Sequence, residues 1–255
     1  MKTLVFQIYD AFGDWISTNG MIRYLSEIYD EVYLVHDTPV VVPFTQMMFR
    51  DEPKIIPMEG IIEYGSECDV VDVRVNEDYP SPGNAGIYYC RNNKFYNEEF
   101  LVNDNASSFY SNLGFSPDIR IKNFNYKRDH VEEENLFSSL ELPDEYSVVC
   151  EMEDNTIDRQ YVQTQNIVNL HRLTDNFLNV LKVIENANDI HLIENSISLF
   201  VYHMQHIRAM KNVDINLHAY VRKEPHRKCD GPDCNNKFLN MLKYPELDNW
   251  NFIWK

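Results

Sequence analysis

Positive charge is scarce: 23 Lys and Arg stand against 40 Asp and Glu, a formal net charge of −17 over 255 residues. A chain this acidic is repelled by a phosphate backbone unless it gathers its bases on one face, so nucleic acid is not an expected partner. Cysteines are few and odd in number, at Cys68, Cys90, Cys150, Cys229 and Cys234, which argues against a secreted disulfide framework. No apolar run of membrane-spanning length occurs, and no leader pattern of basic, apolar and small residues precedes the first strand pattern at Thr3. The expectation is a chain without a transmembrane segment, placed in the cytoplasm. Familiar chemical signatures are missing too: there is no GxGxxG fingerprint, Walker loop, GxSxG elbow or HExxH pair.

What is present is a folded composition, 44% hydrophobic and 13% aromatic. The acid is unevenly spread. Residues 1–145 carry 11 basic against 26 acidic side chains and residues 146–255 carry 12 against 14, so the halves stand at −15 and −2. The near-neutral second half is the better host for an anionic ligand.

Thr3–Ile8, Asp14–Ile28 and Glu31–His36 spell strand, helix and strand, one βαβ unit and therefore a parallel pair. In the helix Ile16, Ile22, Leu25 and Ile28 share an apolar face, and Arg23 and Glu27 form an i, i+4 pair. Lys54–Pro57 and Cys68–Val75 are further strand candidates, and Asn105–Leu113 a helix closed by Gly114. Asp129–Glu145 has weak periodicity and a proline, and reads as a linker. Beyond it, Tyr146–Glu151, Asn166–Leu170, Asp189–Ile193 and Ile215–Val221 read as strands, and Asp175–Asn186 and Ser196–Met210 as helices. The expected fold is α/β with two Rossmann-like domains facing a cleft, residues 1–135 and 136–255.

Open α/β sheets place ligands at the carboxyl ends of their strands, and three segments meet that condition. Gly13-Asp14 follows the first strand, where Asp14 is either a helix cap or a carboxylate aimed into a crevice. Glu194-Asn195-Ser196, with Ser198, joins a buried strand to a helix, where it either caps the helix or offers hydroxyls and free N–H groups to a phosphate. Tyr220-Val-Arg222-Lys223 begins the densest basic run, and an Arg fork at a strand end suits phosphate recognition. His171-Arg172 also reaches a strand end, whereas His203 and His206 read as helix core or flank. Two metal-like patterns are weaker. Cys229-x4-Cys234 with His226 supplies three soft ligands where a structural zinc wants four, and Glu151-x-Glu153-Asp154 is either an exposed acidic loop or a hard-cation site.

Gly13-Asp14-x-Ile16 with Asn19-Gly20 and Arg23, followed by His191-Leu-Ile-Glu-Asn-Ser196 and Tyr220-x-Arg222, resembles small GT-B-type glycosyltransferases, in particular those encoded by large DNA viruses of algae, and more distantly heptosyltransferases. The likeness spans the first strand and helix and roughly the last 100 residues. It implies an inverting, metal-independent transfer of a sugar from a nucleotide-diphosphate donor to the hydroxyl of a glycan or glycoprotein, with no further cofactor. Asp14 resembles the general base; Glu194, Asn195, Ser196, Ser198, Tyr220, Arg222, Arg159 and His171 the donor site; Trp15, Asn19 and Arg23 the acceptor site. UDP is the implied nucleotide and xylose the first sugar to test. A non-catalytic nucleotide- or sugar-binding module and a metal-dependent GT-A-type transferase using Glu151 and Glu153 are the alternatives. A chain of 255 residues is short for two full domains of this family.

Overall fold

The computed structural model describes residues 1–8, 11–60, 68–72, 88–91, 94–97, 110, 115–116, 118–151, 156–193, 195–218 and 249–253. They form two compact units that divide between Lys127 and Arg128.

The first unit opens with β1 (Thr3–Gln7), α1 (Phe12–Ile28), β2 (Glu31–His36), α2 (Val41–Met48), β3 (Ile55–Glu59) and β4 (Asp69–Asp72). A hairpin of β5 (Tyr88–Arg91) and β6 (Lys94–Asn97) and a helical turn, α3 (Ile119–Lys122), complete it. The strands order as β3-β2-β1-β4-β5-β6, the first four parallel and the hairpin antiparallel. A central parallel strand is covered on both faces, which is why β1 is apolar almost throughout and buried from Leu4 to Gln7.

α1 is covered along its middle by Phe6 below and by α3 beside it, so Trp15 through Ile22 are all buried. Gly20 makes that approach possible: a Cβ there would meet the Ile119 carbonyl oxygen at 2.5 Å and that of Arg120 at 2.6 Å. The Tyr110 hydroxyl donates to the Ser17 carbonyl (2.8 Å) and accepts from the Met21 N–H (3.2 Å), pinning the helix mid-length. Two expectations for this helix fail. Ile28 is 44% exposed, and Arg23 turns to Asp51 rather than Glu27. α2 was not legible, since Val40-Val41-Val42 is β-branched and Pro43 suggests a break; proline is tolerated in a first helical turn, where its missing N–H has no partner to lose.

The second unit contains α4 (His130–Ser139), β7 (Ser147–Cys150), β8 (Ile167–Asn169), α5 (Leu181–Glu185), β9 (Asp189–Ile193), α6 (Ser196–His206), β10 (Ile215–His218) and β11 (Trp250–Ile253). All five strands are parallel, in the order β8-β7-β9-β10-β11. In the unit's own numbering that is 2-1-3-4-5, a doubly wound order whose reversal lies between β7 and β9. β7 and β9 are buried at every residue, as central strands must be.

The expected linker, 129–145, is instead largely α4, capped by the Asp129 side chain accepting from the Glu132 N–H. It packs on α5, and the unit boundary accordingly falls before it, not at residue 135. Its hydrophobic pattern is weak because polar contacts fix it. Arg128 forks between Glu133 and Glu185, and Lys182 pairs with Glu134. The expected helix 175–186 splits into a 3-10 turn at Phe177–Asn179 and the short α5, and α6 stops at His206. The expected helix 105–113 and the strand residues beyond Asp72 and His218 fall at positions outside the described residues, Tyr110 excepted.

Candidate functional site

Each unit presents one candidate at the carboxyl end of its central strands. In the first, β1 runs through Ile8 toward the amino end of α1. The N-cap position is Ala11, extended and without a side-chain capping bond, and Asp14 is the third residue of the helix. The Asp14 N–H donates to the Ala11 carbonyl at 3.0 Å. Its carboxylate, by contrast, takes no hydrogen bond and no ion pair among the described residues. Asp14 is therefore not the cap, which removes the bland reading of this position.

A carboxylate at a helix amino end is normally favoured in its charged form by the peptide dipoles. Here burial outweighs that effect and lifts the Asp14 carboxyl from 3.8 to about 6. A carboxyl held near neutrality and without a partner is suited to taking a proton from a bound hydroxyl.

The residues assigned to the acceptor are occupied elsewhere. Trp15 is fully buried between Phe6 and His36, with ring centroids 6.1 and 4.5 Å away. Asn19 is fully buried and its Oδ1 accepts from the Asn125 N–H at 3.1 Å. Arg23 forms a bidentate pair with Asp51 (2.8 and 3.2 Å) and also donates to the Met48 carbonyl. Burial raises the Asp51 carboxyl, but Arg23 outweighs it and the group is held below the usual range. These three side chains sit in the core and framework, and Trp15 Nε1, Asn19 Nδ2 and Arg23 Nε are buried there without a hydrogen-bond partner among the described residues.

In the second unit the strand-order reversal brings the ends of β7 and β9 together. Asn195 caps α6 in a reciprocal box: its Oδ1 accepts from the Ser198 N–H (3.0 Å) and its own N–H donates to Ser198 Oγ (3.0 Å). Asn195 Nδ2 reaches Cys150 Sγ, 2.9 Å away at the end of β7. Burial pushes the Cys150 thiol up to about 11, so it remains protonated and serves as a soft acceptor rather than a nucleophile. Asn195 and Ser198 thus build the helix end, a correction to their assignment as ligand contacts. Left over are the N–H groups of Ser196 and Ile197 and the Ser196 hydroxyl, none of which has a partner among the described residues. Three donors at a helix amino end at a topological switch point are what an anionic phosphate group requires.

No protein family, no curated protein and no solved structure matches the chain.

Beside these donors Glu151 continues β7. Both of its oxygens are taken by Arg159, and Oε1 also accepts from the Ile157 N–H at 2.7 Å. Burial raises the Glu151 carboxyl, but Arg159 together with the Ile157 N–H outweighs it and holds the group below the usual range, leaving it ionised. That occupancy weighs against Glu151 as a ligand for a hard cation. Arg159 is half-exposed and partly neutralised by the same pair, so its claim on a diphosphate is weaker than sequence alone suggested. His171 is exposed in the 3-10 turn Leu170–Arg172, where its N–H donates to Asn169 Oδ1 (3.2 Å). Asn169 was missed. Its Oδ1 also accepts from the Glu151 N–H at 3.3 Å, and its position at the last residue of a strand was the available signal. Glu194, Tyr220, Arg222, Glu153 and Asp154 lie outside the described residues, as do His226, Cys229 and Cys234. Among the described residues no group of three His, Cys, Asp or Glu side chains gathers as a metal site, and no helix is long and apolar enough to cross a membrane.

Proposed function

We propose that the chain is an inverting, metal-independent glycosyltransferase of GT-B type that moves a sugar from a nucleotide-diphosphate donor to a glycan hydroxyl. The observation that carries the reading is the unpaired, half-buried carboxylate of Asp14. Inverting transfer needs a base that takes the acceptor proton as the hydroxyl attacks the anomeric carbon, and a carboxyl near pH 6 is ionised yet basic enough at neutral pH. The second unit contributes the donor site. Ser196 and the free amides of α6 bind the diphosphate, and Arg222, in the basic run after β10, neutralises it as it departs. The chemistry of the pair supports transfer over simple binding, because a binding module has no use for an isolated, destabilised carboxylate. UDP is the nucleotide and UDP-xylose the first donor to supply.

A thermal-shift screen of nucleotide diphosphates and nucleotide-sugars on the full chain tests the donor assignment. A ligand bound only by the folded state raises the melting temperature, and UDP and UDP-sugars are expected to do so. A blank screen at millimolar ligand overturns the reading. A shift without sugar transfer to any glycan would instead establish the non-catalytic module.

A further inference from the structure

The second unit has a cavity of about 530 Å³ at the amino edge of its sheet, the edge opposite to the helix end of α6. It opens among the first residues of three parallel strands, Asp189 of β9, Asn216 of β10 and Trp250-Asn251 of β11. Amides dominate its wall, since Gln163, Asn188 and Asn249 line it as well, and Asp214 completes it.

The wall is held in place from behind. Asn251 Nδ2 donates to Asn216 Oδ1 (3.1 Å), and Asn216 Nδ2 lies 3.4 Å from Asp189 Oδ1. Asp189 Oδ2 accepts from the Gln163 N–H (2.9 Å) and meets His191 Nε2 at 2.7 Å. His191 Nδ1 in turn meets His218 Nε2 at 2.8 Å, deep in the sheet. A carboxylate can only accept, so His191 Nε2 is the donor to Asp189. Asn249 Nδ2 is fixed by the Val213 carbonyl and Gln205 Oε1. The Trp250 indole N–H donates to the same Gln205 oxygen (2.6 Å), and its ring lies edge-on to Tyr202.

What these bonds leave over defines the ligand. Asn188 Oδ1 accepts from the Tyr146 N–H, and Asn188 Nδ2 is a donor without a partner among the described residues. Asn249 Oδ1, Asn251 Oδ1 and both Asp214 oxygens are acceptors in the same condition. Among the described residues no Lys or Arg lines the cavity, which disfavours an anion. Of its two carboxylates Asp189 is already spent on its own partners, which leaves a cation one exposed group. Mixed donors and acceptors on locked amides, beside one aromatic ring, match vicinal hydroxyls and the C–H face of a sugar ring.

We propose that this cavity is a binding site for a neutral, hydroxyl-rich ligand of the sugar class. It stands apart from the donor site and does not depend on the transferase reading.

Saturation-transfer NMR on the full chain with the methyl glycosides of glucose, galactose, mannose and xylose tests it, with putrescine and methyl phosphate as the charged probes. Asp214 and Asn251 are exposed, so Asp214→Ala and Asn251→Ala retain the fold, which a melting curve checks. At least one glycoside is expected to receive saturation, each variant to weaken its Kd by about 3- to 10-fold, the loss of one hydrogen bond, and added UDP to leave the signal in place. Silence of all four glycosides overturns the proposal, as does a signal unchanged in both variants. A response to putrescine alone that Asp214→Asn abolishes also overturns it, in favour of an organic cation.

Discussion

Asn195 Nδ2 lies 2.9 Å from Cys150 Sγ, so the cap of α6 is fastened to the end of β7 across the point where the strand order reverses. The cap and the thiol together set the direction in which the free amides of Ser196 and Ile197 point. Asn195→Ala should lose both the cap and this tie, lowering stability by about 1–2 kcal/mol, whereas Asn195→Asp should retain the cap and lose only the tie. Chemical denaturation of both variants measures the difference. Equal losses would mean that the cap carries nothing.

Ser196→Ala removes a hydroxyl that takes no part in the cap. Nucleotide-diphosphate affinity should fall by about 1–3 kcal/mol, the range for a hydrogen bond to a charged group, with the melting temperature of the free protein unchanged. Calorimetric titration with UDP reads this, and unaltered affinity places the phosphate site elsewhere.

Asp14→Asn separates catalysis from capping. Asn keeps the size of the side chain and cannot accept the proton, so turnover should fall by about 10² or more while donor affinity holds. In the wild type, kcat/KM should rise with pH as the carboxyl ionises around pH 6. Full activity in the Asn variant sinks the assignment.

The same residue has a stability signature of definite sign. The folded chain keeps the Asp14 proton up to about pH 6, whereas the unfolded chain releases it near 3.8, so folding takes up a proton between those values. The contribution is present at low pH and is lost as pH rises through that window. At pH 7 Asp14→Asn should therefore be more stable than wild type by about 1–2 kcal/mol, a shift reduced by the remaining solvent screening. At pH 3 the two should melt together.

Arg128 is shared by two carboxylates, Glu133 with 1% and Glu185 with 10% of the side chain exposed. Arg128→Met keeps the volume and strands both acids, at a cost of about 3–5 kcal/mol. The wild-type pair also has a pH dependence. Burial raises the Glu185 carboxyl, Arg128 and the Lys211 N–H lower it more, and the net depression contributes stability above the ordinary glutamate value that is lost as acid protonates the group. Thermal melts of wild type and Arg128→Met from pH 7 down to 3 should converge.

The amino-acid sequence by itself settled the parts that depend on neighbours in the chain. Leu4–Phe6, and Ile190–Ile193 with its one histidine, have the composition of strands buried on both faces, and both follow from side chains a few residues apart. The same local rule marked Asn195 and Ser196 as a helix start and put Asp14 at the first turn of α1. The tertiary structure decided the rest, because each remaining question turned on a partner distant in sequence. Arg23 is joined to Asp51, not Glu27, since α1 lays it against the chain after α2. Residues 130–139 are helix despite their weak apolar pattern because Arg128 and Lys182 bind the acids that pattern leaves exposed. Asp189, His191 and His218 form one buried hydrogen-bonded line only once β9 and β10 are adjacent. Asp14 is a carboxylate rather than a cap for the same reason: α1 begins at Phe12, two residues earlier than Asp14, and packing beneath it strips the side chain of water without supplying a partner among the described residues.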